Sequence, residues 1–216
     1  AVARANYESV RQRYLGFRAM QGRLIAEQTG ASKVDFHPDL KAAASDPLIR
    51  SQMLTQEQLF QSRRSALRAD LQGIEEGVQG QQALLQAYEG MSANRRSQLA
   101  LLQDELKHTR ELVKEGYTPR NRQLELERAQ AENQTSIAET QGNIMRARHS
   151  ISEFRQRAIS RQQEYRKEVE TQLADVAREV QSDAEKLVAV TADLERTEIK
   201  SPASGQVAAL AAQAPG

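Results

Sequence analysis

The sequence predicts an all-α protein: a long antiparallel α-helical coiled-coil hairpin with an extra N-terminal helix, plus the start of a small β module at its C-terminal end. Three observations predict it. Apolar residues recur at alternating steps of four and three along two long segments, the spacing that keeps one seam of a helix turned toward a partner. Between those segments, Gly116-Tyr117-Thr118-Pro119-Arg120 sets a helix stop beside a helix start. Finally, 216 residues with 27% charged side chains, 4% aromatic and no Trp hold too little bulky apolar material for a globular core of that size.

Charge and composition also exclude functions. The net charge of +1 comes from 30 basic and 29 acidic residues interspersed along the chain, which argues against nucleic acid as a partner. No segment reaches the roughly 18 to 20 apolar residues of a membrane span. The three histidines, His37, His108 and His149, are scattered, there is no Cys, and no phosphate loop or nucleophile elbow occurs; the chain therefore reads as a non-enzyme without metal or cofactor. It begins at Ala1 and stops at Ala214-Pro215-Gly216 inside a strand-like pattern, so it reads as a segment of a longer protein.

The first helix is expected over residues 1–28. Its seam, Ala3, Tyr7, Val10, Tyr14, Phe17, Gln21 and Leu24, carries three of the nine aromatic residues, and these read as packing against a neighbouring helix. Periodicity fails over residues 29–45, where Gly30, Pro38 and a polar mixture predict a linker with room for one short helical turn. His37, with no second His, Cys or paired carboxylate nearby, reads as a surface residue rather than a metal ligand.

Asp46-Pro47 joins a capping residue to a proline and opens the ascending helix, residues 46–115. From Phe60 one series runs to the tip through Arg64, Leu67, Leu71, Ile74, Val78 and onward to Leu106, Thr109 and Val113. A 3.5-residue period sustained over about seven heptads argues coiled coil. Gly73, Gly77, Gly80 and Gly90 interrupt it, each costing about 1 kcal/mol relative to Ala in a helix interior; either they admit a neighbour closely or they soften the helix. At residues 116–118 Gly116 suits the left-handed conformation that closes a helix, and Thr118 and Pro119 suit the cap and first position of the next.

The descending helix is expected over residues 119–195, its seam marked by Ile137, Ile144, Ile151, Ala158 and Tyr165, then by Leu173, Val180, Leu187 and Leu194. The step of eight from Tyr165 to Leu173, with Val169 midway, is a stutter. At about 1.5 Å per residue the two arms match at roughly 100 and 110 Å, and the first helix is expected to continue the shorter arm at the end away from the tip. Over residues 196–216 the pattern becomes extended, with turn chemistry at Ser201-Pro202-Ala203-Ser204-Gly205.

These residues carry a resemblance. Leu112-Val113-Lys114-Glu115-Gly116-Tyr117-Thr118-Pro119-Arg120, the following Leu124-Glu125-Leu126-Glu127-Arg128 and the closing Thr197-Glu198-Ile199-Lys200-Ser201-Pro202-Ala203-Ser204-Gly205-Gln206-Val207 resemble the periplasmic adaptors, or membrane fusion proteins, of bacterial type I secretion. Within them the chain is most similar to the HlyD-like adaptors that export proteases, lipases and haem-binding proteins. The resemblance implies an inner-membrane anchor outside this segment, a periplasmic hairpin, and a split lipoyl-like domain whose second half opens at the turn containing Pro202 and Gly205. It implies an inner-membrane ABC transporter, a TolC-type outer-membrane channel and a secreted protein substrate as partners, with several copies, commonly six, around the conduit. Lys200 precedes the turn instead of sitting at its apex, so it is not read as a modified lysine.

The tip is the expected docking site: Arg110, Leu112, Gly116, Tyr117, Thr118, Pro119 and Arg120. Related adaptors carry an Arg, a Leu four residues on and a Ser seven beyond. Here His108 stands four before Leu112, Arg110 is out of that register, and Thr118 follows after six. Between residues 107 and 122 five cations face only Glu111 and Glu115, so the tip reads as apolar anchors in a basic collar. The competing reading is a structural coiled-coil spacer or dimerisation rod. It explains both arms but not the Pro/Gly turn and strand pattern where the second arm ends.

Overall fold

The computed structural model describes residues 2–197, and among these every regular element is helical: α1 (Val2–Thr29), α2 (Pro38–Ala42), α3 (Pro47–Lys114) and α4 (Arg120–Arg196). The expected β module, with Pro202 and Gly205, lies outside the described residues. The chain divides into two compact units, residues 63–167 and the described residues on either side of them.

In residues 63–167, α3 and α4 pair antiparallel, as the ascending and descending partners Asp70–Arg161, Glu89–Arg148 and Arg110–Glu127 require. Every position of the α3 series from Arg64 to Val113 is buried or half-buried, and of the residues between them only Gly77 joins that set. On α4, Ile137, Ile144, Ile151, Ala158 and Tyr165 are likewise turned inward. The seam also holds Ser92, Thr109, Asn133 and Thr140. Thr140 returns its hydroxyl to Ser136 O at 2.9 Å, and Asn133 Nδ2 donates to Gln98 Oε1 at 3.3 Å, which limits the cost of burying them. The four glycines do not share one environment. A Cβ on Gly77 would stand 2.6 Å from the Phe154 ring, whereas Gly73, Gly80 and Gly90 meet nothing within 4 Å.

In the other unit α1 packs against both long helices. Arg11 with Asp46, Gly16 with Gln52 and Arg23 with Gln56 pair in ascending order, so α1 runs parallel to the first turns of α3. Arg13 reaches Glu179 and Asp183 of α4 at 2.9 and 3.0 Å. Residues 11–23 of α1 thus lie beside α3 instead of continuing it end to end. This corrects the expected stacking, and the reason is visible in burial: Leu15, Ala19 and Ala26 are covered as well as the seam residues Tyr14 and Leu24. A face that wide serves two partners, not one seam.

The segment expected as a linker forms a packed cover. Val34 and Phe36 press on Gly22, where a Cβ would stand 3.3 Å from the Phe36 ring, and Leu40 of α2 is fully buried. His37 is not idle at the surface: its Nδ1 accepts from Asp39 N at 3.2 Å and caps α2. Tyr14 donates to Asp39 Oδ2 at 2.7 Å; burial first, then this bond, pushes its phenol pKa up. Asp46 caps α3 by accepting from Leu48 N at 3.0 Å. On α4, Val169 is buried midway along the step from Tyr165 to Leu173.

Candidate functional site

The hairpin turn is built by backbone hydrogen bonds. Gly116 takes φ +83; its N–H donates to Val113 O at 3.1 Å and that of Tyr117 to Leu112 O at 2.9 Å. This is the paired closure of a helix end on a left-handed residue. In such a closure the residues at the places of Leu112 and Tyr117 commonly cover one another. Here the cover is slight: Tyr117 is 79% exposed and Leu112 43%. Thr118 is half-buried, and Pro119 precedes α4, which begins at Arg120. The helix starts one residue after the expected first position, within the ordinary fraying of a terminus.

The charges around the turn are arranged differently from a free basic collar. Arg110 Nη2 donates to Glu127 Oε1 at 3.1 Å, and Arg122 reaches Glu105 at 2.6 Å and Glu125 at 3.4 Å. The Glu127 carboxyl is held below its usual range by the Gln123 hydrogen bond and then by Arg110. Counting residues 105–127, which takes in these partners, five cations meet five anions, so the tip has no net positive excess. The partners missed from sequence, Glu105 and Glu127, sit just off the seam on facing helices. That flanking position is the signal that finds them.

Arg120 remains distinctive. It opens α4, whose first turn holds no acidic residue, so its charge stands at the positive end of the helix dipole, where a cation is unfavourable. Lys114, in the last turn of α3, has the favourable placement. Among the described residues no group of His, Asp and Glu is placed to hold a metal ion. The turn therefore offers exposed apolar surface beside a cation.

Comparison with known proteins fits this geometry. A family model described as AprE, long α-helical hairpin, matches residues 3–193. The alkaline protease secretion protein AprE of Pseudomonas aeruginosa is 36% identical over 208 residues, 96% of this chain and 48% of that protein. The proteases secretion protein PrtE of Dickeya chrysanthemi is 30% identical over 205 residues, 95% of this chain and 46% of that one. The chain thus spans about half the length of these curated relatives. The crystal structure of the soluble domain of LipC, a membrane fusion protein of a type I secretion system, superposes with a TM-score of 0.88 at 36% identity, covering 94% of this chain and 95% of that one. With a hairpin matched over nearly its whole length in sequence and in structure, this chain belongs to the AprE long α-helical hairpin family of type I secretion membrane fusion proteins, which are adaptors and not enzymes.

Proposed function

We propose that this chain is the hairpin of a periplasmic adaptor, anchored to the inner membrane outside the segment described, that bridges an inner-membrane ABC transporter to a TolC-type outer-membrane channel for one-step protein secretion. Several copies, six in the full assembly, surround the conduit through which the substrate protein passes. On this reading the segment after α4, which holds Pro202 and Gly205, belongs to the second half of a lipoyl-like domain. The docking site is the turn itself: Leu112 and Tyr117 are apolar anchors, Gly116 and Pro119 fix the backbone that presents them, Thr118 offers a hydroxyl, and Arg110 and Arg120 supply donors to an acidic or carbonyl-rich rim.

The observation that carries this reading is the exposure of Tyr117 at 79% on a rigidly closed turn. A large amphipathic ring held in water at a fixed backbone position is the kind of side chain that anchors a protein interface. The first-turn placement of Arg120 supports it, since a cation kept against the helix dipole costs about 0.3 to 1 kcal/mol unless a partner uses it. In the full-length protein, Leu112→Asp with Tyr117→Ser is expected to abolish export while helicity and melting stay nearly unchanged. Arg120→Glu should weaken docking mostly at low salt, because an exposed charge is screened beyond about 10 Å at 0.1 M salt. Export persisting with both anchors replaced would reduce the tip to a plain turn.

A further inference from the structure

Within residues 63–167 the contacts Gln98–Asn133 and Gly77–Phe154 fix the relative heights of α3 and α4. Counted from them, Gly90 of α3 stands level with Gly142 of α4, within about one residue or 1.5 Å. Gly142 is the only glycine of α4. Neither residue makes room for a neighbour: a Cβ on Gly90 would meet nothing within 4 Å, and one on Gly142 only the end of Arg146, one turn along its own helix, at 4.0 Å. Packing therefore does not ask for glycine at either position. What glycine brings is a softer backbone, since after proline it is the least favourable residue in a helix interior. Gly73 and Gly80 soften α3 in the same way, but level with them α4 carries Ala158 and Ile151, both turned into the seam. A soft stretch in one arm is splinted by a firm one in the other; only at Gly90 and Gly142 do both arms soften at one height.

The seam is thinnest at that height too. Between Leu85 and Leu99 the α3 series passes through Tyr88, Ser92 and Arg95, its longest interval without an aliphatic side chain. Across from it, Ile137 and Ile144 of α4 alternate with the buried Asn133 and Thr140. Hydroxyl and amide side chains hold two helices together less firmly than leucine does. The Thr140 hydroxyl also turns back to Ser136 O at 2.9 Å, a bond that competes with the helix's own and favours bending. Glycine with serine close by, as in Gly90-Met91-Ser92, is a recurrent site of helix kinks. The ion pair Glu89–Arg148 crosses here with both side chains about half exposed, where such pairs add little.

We propose that the hairpin carries a joint at this height: at Gly90 and Gly142 the two helices open their hydrogen bonds locally and together, and residues 91–141, which bear the turn, tilt as one body on the rest of residues 63–167. The joint lies about 39 Å along α3 from Gly116. The tilting part keeps a seam of its own, with Leu99, Leu102, Leu106, Leu126 and Ile137 turned inward, so it moves without coming apart. The use of the joint rests on the docking reading: a rigidly closed turn meets its rim over a range of angles while nothing at the turn itself changes.

Two measurements on the purified chain test the joint. In hydrogen exchange read by mass spectrometry, residues 86–95 and 138–146 are expected to exchange at least about tenfold faster than residues 99–108 and 124–132. The slower segments lie nearer the turn, so fraying from the tip cannot produce that order. Gly90→Ala with Gly142→Ala should slow the two fast segments about fivefold and leave the others unchanged, whereas Gly73→Ala with Gly80→Ala should not slow them. The chain has no cysteine, so spin labels go only where they are placed. Gln79→Cys with Ala93→Cys spans the joint on one exposed face of α3, and Ala93→Cys with Lys107→Cys lies on its tip side at the same spacing, about 21 Å along the helix. The first pair should give the broader distance distribution, narrowing to the width of the second in the double-alanine variant. Equal exchange in all four segments, exchange unchanged by the two alanines, or equal widths for the two label pairs would each overturn the proposal. Replacing Leu112 and Tyr117 should move neither readout, so tip docking and the joint stand or fall separately.

Discussion

Arg23 and Glu27 are an ordinary helical pair by sequence, four residues apart and indistinguishable from a dozen solvated ones. In the structure Arg23 is only 3% exposed, with Nη1 3.1 Å from Glu27 Oε1 and Nε 2.7 Å from Gln56 Oε1. Arg23→Ala takes this cation away from a buried carboxylate, and we expect it to lower the unfolding free energy by about 3 kcal/mol in urea titrations. Arg23→Met with Glu27→Leu should recover most of that loss, because both charges are then removed together. Asp46 gives a pH signature. The Leu48 N–H and then Arg11 hold its carboxyl below the ordinary 3.8, so its contribution is complete above that value and fades as pH falls through the lower folded value. Asp46→Asn keeps the cap but not the charge. Thermal melts between about pH 4 and pH 2 should therefore fall more gently for the variant than for the parent chain. Such side chains were opaque in the sequence because their partners arrive from other helices.

At the scale of the element, α3 was the most legible part of the chain. Its period of 3.5 runs without a break, and a two-helix seam asks only for that period. α1 was read too narrowly because α3, α4 and the cover containing α2 all press on it, and a sequence pattern records a face without saying how many neighbours share it. The packing of Val34, Phe36 and Leu40 was hidden by the polar residues around them. At the tip, the stop and start residues were legible from Gly116 and Pro119, whereas the neutralising role of Glu105 and Glu127 was not, since it depends on which residues the hairpin brings level. The glycines offer a direct check of packing. Gly90→Ala should raise stability by up to about 1 kcal/mol, there being nothing near the added methyl. Gly77→Ala should gain nothing or lose stability, because the Phe154 ring must first move. Equal gains at both positions in chemical denaturation would show that the seam does not close as described.

Across the whole molecule, a seam satisfied within one chain leaves little to hold two chains together. We expect sedimentation at about 10 µM chain to show predominantly monomer, with association growing only toward about 1 mM. A dimer that persists undiluted across that range would mean that the seams pair between chains, as a dimerisation rod requires. One consequence of the turn at Gly116 concerns time. Its nearest cross-helix pairs, Arg110–Glu127 and Glu105–Arg122, are each separated by 17 residues in sequence, whereas Arg13 and Glu179 are separated by 166. Short loops close at lower entropic cost than long ones, so the turn is the natural nucleus, the helices zip away from it pair by pair, and the contacts of α1 with α4 close last. Replacing Gly116 with Val should slow refolding in stopped-flow experiments with little change in the unfolding rate.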